Sequence, residues 1–186
     1  GVWANNFSKY CRSKPELTKY VIEVNEELAQ EHIRHEDFLK AAEIYRDIVN
    51  QCGPDQDKTI YELKVCECIY NSGQYTSAIP ELNRFIRNNK ATNRVLVKQA
   101  ILLKGQAYIQ LGEMGRAYNT FLELMIDYPE TKQAPEANFF IGYCNMLQGK
   151  YKEATEALNM VVKDCPQSSY ASKARLCLTR IKRMTE

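Results

Sequence analysis

The sequence has few of the residues on which catalytic and metal sites depend. It contains two histidines, His32 and His35, and it lacks both a Cys-x-x-Cys pair and a glycine-rich phosphate-binding loop. The histidines stand three apart near a predicted helix end, without the glutamate-bearing i,i+4 spacing of zinc proteases. Gly105, Gly112 and Gly115 have spacings that suit helix packing. We therefore predict a protein that is not an enzyme and uses no cofactor or metal, with a metal-binding enzyme using His32 and His35 as an alternative.

Long apolar runs and a regular cysteine framework are also absent. No stretch approaches the roughly 20 residues that cross a bilayer, so we predict no direct membrane insertion. The cysteine count is odd, at seven, and the spacing is irregular, which argues against a disulfide scaffold. Cys66 and Cys68 stand two apart on a predicted helix and point in different directions, so a shared metal or bond is not expected. We interpret most of the cysteines as core thiols.

The charges are unevenly distributed although the formal net charge is only +2. Residues 16–62 contain twelve acidic side chains against five Lys or Arg, whereas residues 80–104 and 163–183 each contain six basic side chains against one acidic. Two interpretations stay open, which are solvated outer helix faces and a basic patch for an acidic partner. Because the basic residues lack interleaved aromatics and a known reading motif, nucleic acid is not an expected partner. The basic residues in question include Arg84, Arg87, Arg94 and Lys98.

Four alanines mark an internal repeat, because they fall 37, 39 and 37 residues apart within one recurring pattern. They are Ala41, Ala78, Ala117 and Ala154. Twelve residues before each alanine stands a residue that allows two helices to approach closely. These small residues are Ala29, Cys66, Gly105 and Gly142. Five residues before each alanine, where a helix must stop, stand Glu36, Gly73, Gly112 and Gly149.

Each repeat therefore reads as two antiparallel helices joined by a tight turn. The predicted fold is all-α, an alpha-alpha superhelix of about four helix pairs plus a C-terminal capping helix. Ser13, Pro15 and Glu16 form the start signal of the first helix. The predicted boundaries are residues 1–21 for an N-terminal arm and helix start, 22–58, 59–97, 98–134 and 135–168 for the repeats, and 169–186 for the capping helix.

The pattern resembles the tetratricopeptide repeat superfamily across roughly residues 22–184. The resemblance is strongest from Ile141 to Pro166, and it is weakest in the first repeat, where Glu36 replaces the turn glycine. The connector in residues 127–137, which recurs in residues 164–174, is similar to that of the bacterial cell-envelope branch, of the Tol–Pal-associated periplasmic and outer-membrane assembly lipoprotein types. The resemblance thus favours a periplasmic or cell-envelope location, whereas the odd cysteine count favours the cytoplasm as the alternative.

The resemblance also implies a partner-binding site, because the first helix of each pair in this superfamily lines the concave surface. We expect a concave groove for a peptide or amphipathic helix of a protein partner, built from three rows of side chains in repeats two to four. These rows are Leu63, Leu102 and Phe139; Glu67, Gln106 and Tyr143; and Tyr70, Ile109 and Met146. They lack the Lys, Asn and Arg clamp that chaperone-binding members use for a C-terminal carboxylate.

Two alternatives to this groove stay open. In the first, the same side chains pack against neighbouring helices or against the capping helix. In the second, the protein is a self-assembly module, a homo-oligomer that associates through the terminal helix or through Trp3, Phe7 and Tyr10. A charged residue at Leu102 or Phe139 is expected to abolish partner binding without lowering stability if these side chains line the groove.

Overall fold

The computed structural model describes residues 15–53, 57–129 and 131–186, and the segments between and before them are not considered further. The expectations for residues 1–12 and for the capping Ser13 lie outside these residues. Within the described ranges the secondary structure consists of nine α-helices and no strand. The helices are α1 (Pro15–Arg34), α2 (Phe38–Gln51), α3 (Thr59–Asn71), α4 (Tyr75–Asn89), α5 (Arg94–Gln110), α6 (Met114–Asp127), α7 (Ala134–Leu147), α8 (Tyr151–Asp164) and α9 (Ser169–Thr185).

The chain forms two compact units that divide within α5, between Leu96 and Val97. In the first unit α1 packs on α2, α2 on α3, and α3 on α4. In the second unit α6 packs on α7, α7 on α8, and α9 on both α7 and α8. Consecutive helices therefore form antiparallel pairs, and the predicted all-α helix-repeat fold class is confirmed.

The turns within the helix pairs share one backbone conformation. Glu36, Gly73, Gly112 and Gly149 all have positive φ, at 60°, 78°, 75° and 74°. The Lys150 amide donates to the Asn145 carbonyl at 2.9 Å, and the Asp37 amide donates likewise to His32 at 2.8 Å. These bonds, which reach back five residues, close a helix that is followed by a left-handed residue. The four-residue set identified from the alanine spacing is therefore the set of helix-ending residues.

Small residues bring the paired helices together. All four marker alanines have no exposed surface. A Cβ added at Gly105 would stand 2.4 Å from the Phe121 ring, and one added at Gly142 would stand 2.7 Å from Leu158 Cγ. Both distances are shorter than real Cβ contacts, so glycine is required at these positions for the helices to pack this closely.

The last helix begins with a side-chain cap and covers the end of the preceding pair. Ser168 Oγ accepts a hydrogen bond from the Ala171 amide at 3.1 Å, as an N-cap serine does. Ala174 and Ile181 of α9 join the core formed by α7 and α8. No helix in the described part of the chain combines the length and apolar character needed to span a membrane.

Candidate partner-binding surface

The structure divides the nine predicted groove residues into a buried set and a half-buried set. Four are buried, namely Leu63, Leu102, Phe139 and Met146. The other five keep part of their surface accessible, namely Glu67, Tyr70, Gln106, Ile109 and Tyr143. The row three residues before the small residue thus lies within the packed helices, and the row one residue after it faces outward. Partner binding by any of them stays a prediction.

Phe139 of α7 lies at the centre of an aromatic cluster in the second unit. Its ring centroid is 5.2 Å from Phe140, 5.9 Å from Tyr143 and 5.5 Å from Tyr170 of α9. Met146 belongs to the same core, together with Leu158 of α8. Phe139 therefore packs against the capping helix, as in one of the alternatives that the sequence left open.

Tyr143, like Phe140 and Tyr170, is a partly accessible member of this cluster. Its ring stacks on Phe139 with an interplanar angle of 18°, and the side chain is half-buried. One helix pair earlier, Gln106 occupies the equivalent position on α5 and donates through Nε2 to Glu136 Oε1 of α7 at 3.1 Å. Both side chains are held by neighbours while part of each stays accessible, so little ordering entropy is lost when they contact a partner.

Glu136 connects α7 to α9 as well as to α5. Burial raises the pKa of Tyr170 well above its usual range, and the hydrogen bond and negative charge of Glu136 raise it further. Tyr170 is therefore a neutral donor near neutral pH. The carboxylate of Glu136 thus accepts from Gln106 on one side and from Tyr170 on the other, which fixes successive helices of the second unit relative to each other.

In the first unit, Glu67 and Tyr70 are the accessible members of the predicted groove. Burial raises the pKa of Glu67, and the nearby Lys64 ammonium only partly offsets this effect. The Tyr70 ring packs edge-on against Tyr75 at 5.2 Å, and burial raises the pKa of its hydroxyl. These side chains combine apolar area with one carboxylate.

An open depression of about 590 Å³ lies along the surface of α1 in the first unit. Its walls are carboxylate-rich, and they are formed by Glu23, Glu26, Glu27, Gln30 and Arg34. Glu26 Oε2 accepts from the Tyr61 hydroxyl at 3.3 Å, and Gln30 Nε2 donates to the Tyr45 hydroxyl at 2.9 Å. The first repeat is therefore the acidic one in the structure as well as in the sequence.

The two histidines pair with different carboxylates. His32 Nδ1 lies 3.4 Å from Asp37 Oδ2, whereas His35 Nε2 lies 2.8 Å from Glu31 Oε1. Glu31 also pairs with Arg34. Within the described ranges, no three His, Cys, Asp or Glu side chains are grouped so that they could hold a metal ion. These carboxylate contacts at the end of α1 account for both histidines.

The described cysteines are all free thiols. Cys66, Cys68 and Cys144 are buried, and burial raises the pKa of Cys66 and of Cys144 to about 12. Thiols with such a high pKa are poor nucleophiles. Their environment agrees with the interpretation of these three as core thiols.

α9 adds a further set of exposed side chains that the sequence interpretation did not assign to the binding rows. Leu176, Arg180 and Arg183 stand 37 residues after Phe139, Tyr143 and Met146, at the same three repeat positions. All three are exposed. The 37-residue recurrence of the connector, extended into α9, could have identified them.

Comparison with known proteins gives the same fold. Residues 99–131 and 136–168 each match the tetratricopeptide repeat family. No curated protein sequence matches the chain. Among solved structures, the apo form of RapI is similar with a TM-score of 0.75 at 18% identity over 88% of this chain and 64% of that one.

Two further similar structures are of a protein in complex with a peptide and of a protein with a peptide-binding site. The Rap conjugation gene regulator of plasmid pLS20, in complex with the Phr* peptide, has a TM-score of 0.67 at 14% identity over 91% of this chain and 50% of that one. YrrB, a TPR protein with an unusual peptide-binding site, has a TM-score of 0.62 at 14% identity over 94% and 86%. At these identities the likeness shows the fold alone. The fold is that of tetratricopeptide-type helix repeats, and residues 99–131 and 136–168 carry the sequence pattern of that family.

Proposed function

We propose that the protein is a non-catalytic adaptor that binds a peptide or an amphipathic helix of a partner protein. The binding site is the second-unit surface, defined as Gln106, Ile109 and Tyr143. Glu67 and Tyr70 occupy the corresponding rows in the first unit and are proposed to contact the partner there. Two proteins of similar fold, the Rap conjugation gene regulator with its Phr* peptide and YrrB with its peptide-binding site, support the same class of ligand here.

The observation that carries the proposal is the ordered but accessible ring of Tyr143. Stacking on the buried Phe139 fixes the ring, so a partner gains aromatic contact without having to order it. Tyrosine is among the residues enriched at binding hot spots. Gln106 adds an amide whose orientation is set by Glu136, and its remaining hydrogen-bonding capacity can serve the backbone of an extended peptide.

The expected ligand is a segment with at least one large apolar side chain for Tyr143 and Ile109. A peptide library displayed on phage supplies the probe, and the selected peptide is then synthesised and titrated. We expect Tyr143→Ala and Ile109→Ser each to weaken its binding by about tenfold or more, which corresponds to about 1.4 kcal/mol.

Tyr118→Ala is the matched control, because Tyr118 is also half-buried but lies on α6, the second helix of its pair. It should bind the peptide like the wild type. Thermal unfolding of all variants separates lost binding from lost folding. Unchanged binding by folded Tyr143→Ala and Ile109→Ser would show that this surface is not the site.

The cell-envelope branch and a periplasmic location stay predictions that rest on the connector sequence alone, and no comparison supports them. The absence of catalysis is likewise a prediction. It is supported by the raised pKa of the buried thiols and by the separate pairing of the two histidines.

A further inference from the structure

The first helix exposes an apolar face that includes a position buried in the second repeat. Leu28 of α1 and Val65 of α3 both stand immediately before the small residue of their repeats. Val65 is only 4% exposed, whereas Leu28 is 47% exposed. Val24 and Tyr20 lie on the same side of α1, one and two turns earlier, and both are exposed. We call Tyr20, Val24 and Leu28 the α1 end face.

The last helix, α9, also exposes an apolar side chain at a position that is buried in an earlier helix. Leu176 of α9 stands 37 residues after Phe139 of α7, at the same repeat position. Phe139 is 7% exposed, because α9 covers it through Tyr170. Leu176 is 73% exposed. A following helix would therefore cover Leu176, as α9 covers Phe139. We call Leu176, Arg180 and Arg183 the α9 end face.

The two helices that bear these end faces carry opposite charge. Helix α1 contains five glutamates against two Lys or Arg residues, whereas α9 contains five Lys or Arg residues and no acidic one. Among the described residues, Arg180, Arg183 and Glu27 take part in no ion pair. Opposite charge on surfaces that also expose apolar side chains is the complementarity found at protein interfaces.

The repeat register aligns specific residues on the two faces. Gln106, one residue after its small residue, donates to Glu136, six residues before the next small residue. Tyr143 stands one residue after Gly142, so it occupies the same repeat position as Gln106. Arg180 stands 37 residues after Tyr143 and therefore occupies that position in α9. Glu23 corresponds to Glu136, because it stands six residues before Ala29. A helix packed on α9 in the repeat geometry would place such a glutamate against Arg180.

We propose that a second copy of this chain supplies that helix, so that the α9 end face of one copy binds the α1 end face of another. Leu176 packs against Tyr20 of the second copy, as Phe139 packs against Tyr170, and Arg180 pairs with Glu23. This interface joins two different surfaces, so each added copy leaves one α1 end face and one α9 end face open. It goes beyond the proposed peptide binding and does not depend on it.

Two variants that each block one face test the proposal. The α1-blocked variant is Tyr20→Lys with Glu23→Lys, and the α9-blocked variant is Leu176→Ser with Arg180→Ser. These side chains are exposed, so we expect both variants to fold, as circular dichroism checks. Sedimentation velocity should show the wild type growing in mass with concentration and dissociating in high salt. Each blocked variant alone should stay at the monomer mass of 21.5 kDa.

The mixture of the two blocked variants is the decisive sample. It retains one intact α1 end face and one intact α9 end face, so it should form a 1:1 dimer and nothing larger. Met160→Lys, at an exposed position of α8, is the matched control and should associate like the wild type. A monomeric wild type, self-association of either blocked variant, a monomeric mixture, or loss of association in Met160→Lys would each overturn the proposal.

Discussion

The left-handed turn position offers a direct test of how the repeats end their first helices. Glycine occupies this position in three repeats, and Glu36 occupies it in the first with φ of 60°. At Gly149, with φ of 74°, an added Cβ would have nothing within 4 Å. Replacing Gly149 with alanine therefore adds no clash, and its cost comes only from the backbone conformation.

The magnitude follows from two opposing terms. A non-glycine residue in the left-handed region costs about 1–2 kcal/mol. Glycine also loses more backbone freedom than alanine on folding, which reduces its advantage at this position by about 0.5–1 kcal/mol. Gly149→Ala should therefore destabilise the protein by about 1 kcal/mol. Glu36→Gly should stabilise it by a similar amount, since Glu36 is exposed and takes part in no ion pair with any described residue.

Urea unfolding followed by helical circular dichroism measures both changes. A shift of the midpoint at constant slope reports a change in stability alone. An effect of about 1 kcal/mol corresponds to about 2–4 °C in Tm for a chain of this length. Gly149→Asn is a graded control and should cost less than Gly149→Ala, because asparagine tolerates the left-handed region better. A destabilising Glu36→Gly or a neutral Gly149→Ala would refute the reasoning.

Three further predictions concern the core and the buried ionisable groups. Phe139→Ala should lower the free energy of unfolding by about 3–5 kcal/mol, and a smaller loss than in Tyr143→Ala would contradict the core position of Phe139. Glu67→Gln should stabilise the protein at neutral pH. The raised pKa of Glu67 stabilises the fold fully below the ordinary glutamate pKa, and this contribution is lost as pH rises through the folded-state pKa. The advantage of Glu67→Gln over the wild type should therefore vanish near pH 4 in denaturant titrations, and a constant advantage would contradict it. Folded protein at about pH 8 should resist iodoacetamide at Cys66 and Cys144, since only the thiolate reacts, and peptide mapping before and after denaturation would show whether it does.

The positions at which the two helices of one repeat turn and pack against each other could be predicted from the sequence. Ala154 lies between the two helices of its own pair, and Gly149 ends the first of them. Both requirements are local, because they depend on residues within the same repeat. The 37-residue spacing therefore identifies them without knowledge of what lies beside the repeat.

The accessible face could be predicted only in part, because it depends on neighbouring repeats. Leu102 and Phe139 share a row in the sequence with Leu176, but the first two are buried and the third is exposed. Position within the repeat is the same for all three, and Phe139 differs from Leu176 because α9 packs over it through Tyr170. Lys104, which stands where the other repeats have apolar residues, is likewise half-buried, and burial lowers its pKa.

The dependence of burial on neighbouring helices also explains why the exposed surfaces of α1 and α9 differ in composition. A repeat array must cover its terminal faces or leave apolar surface in water. On α9, arginines occupy two of the three row positions that hold Phe139, Tyr143 and Met146 in α7, which makes the exposed surface of α9 mostly cationic. On α1 the exposed side chains include Tyr20, Val24 and Leu28, with glutamates beside them. If the ends bind each other, α1 supplies most of the apolar area and α9 supplies the charge. Salt should then weaken the association, and Tyr20→Ala should weaken it more than Leu176→Ala.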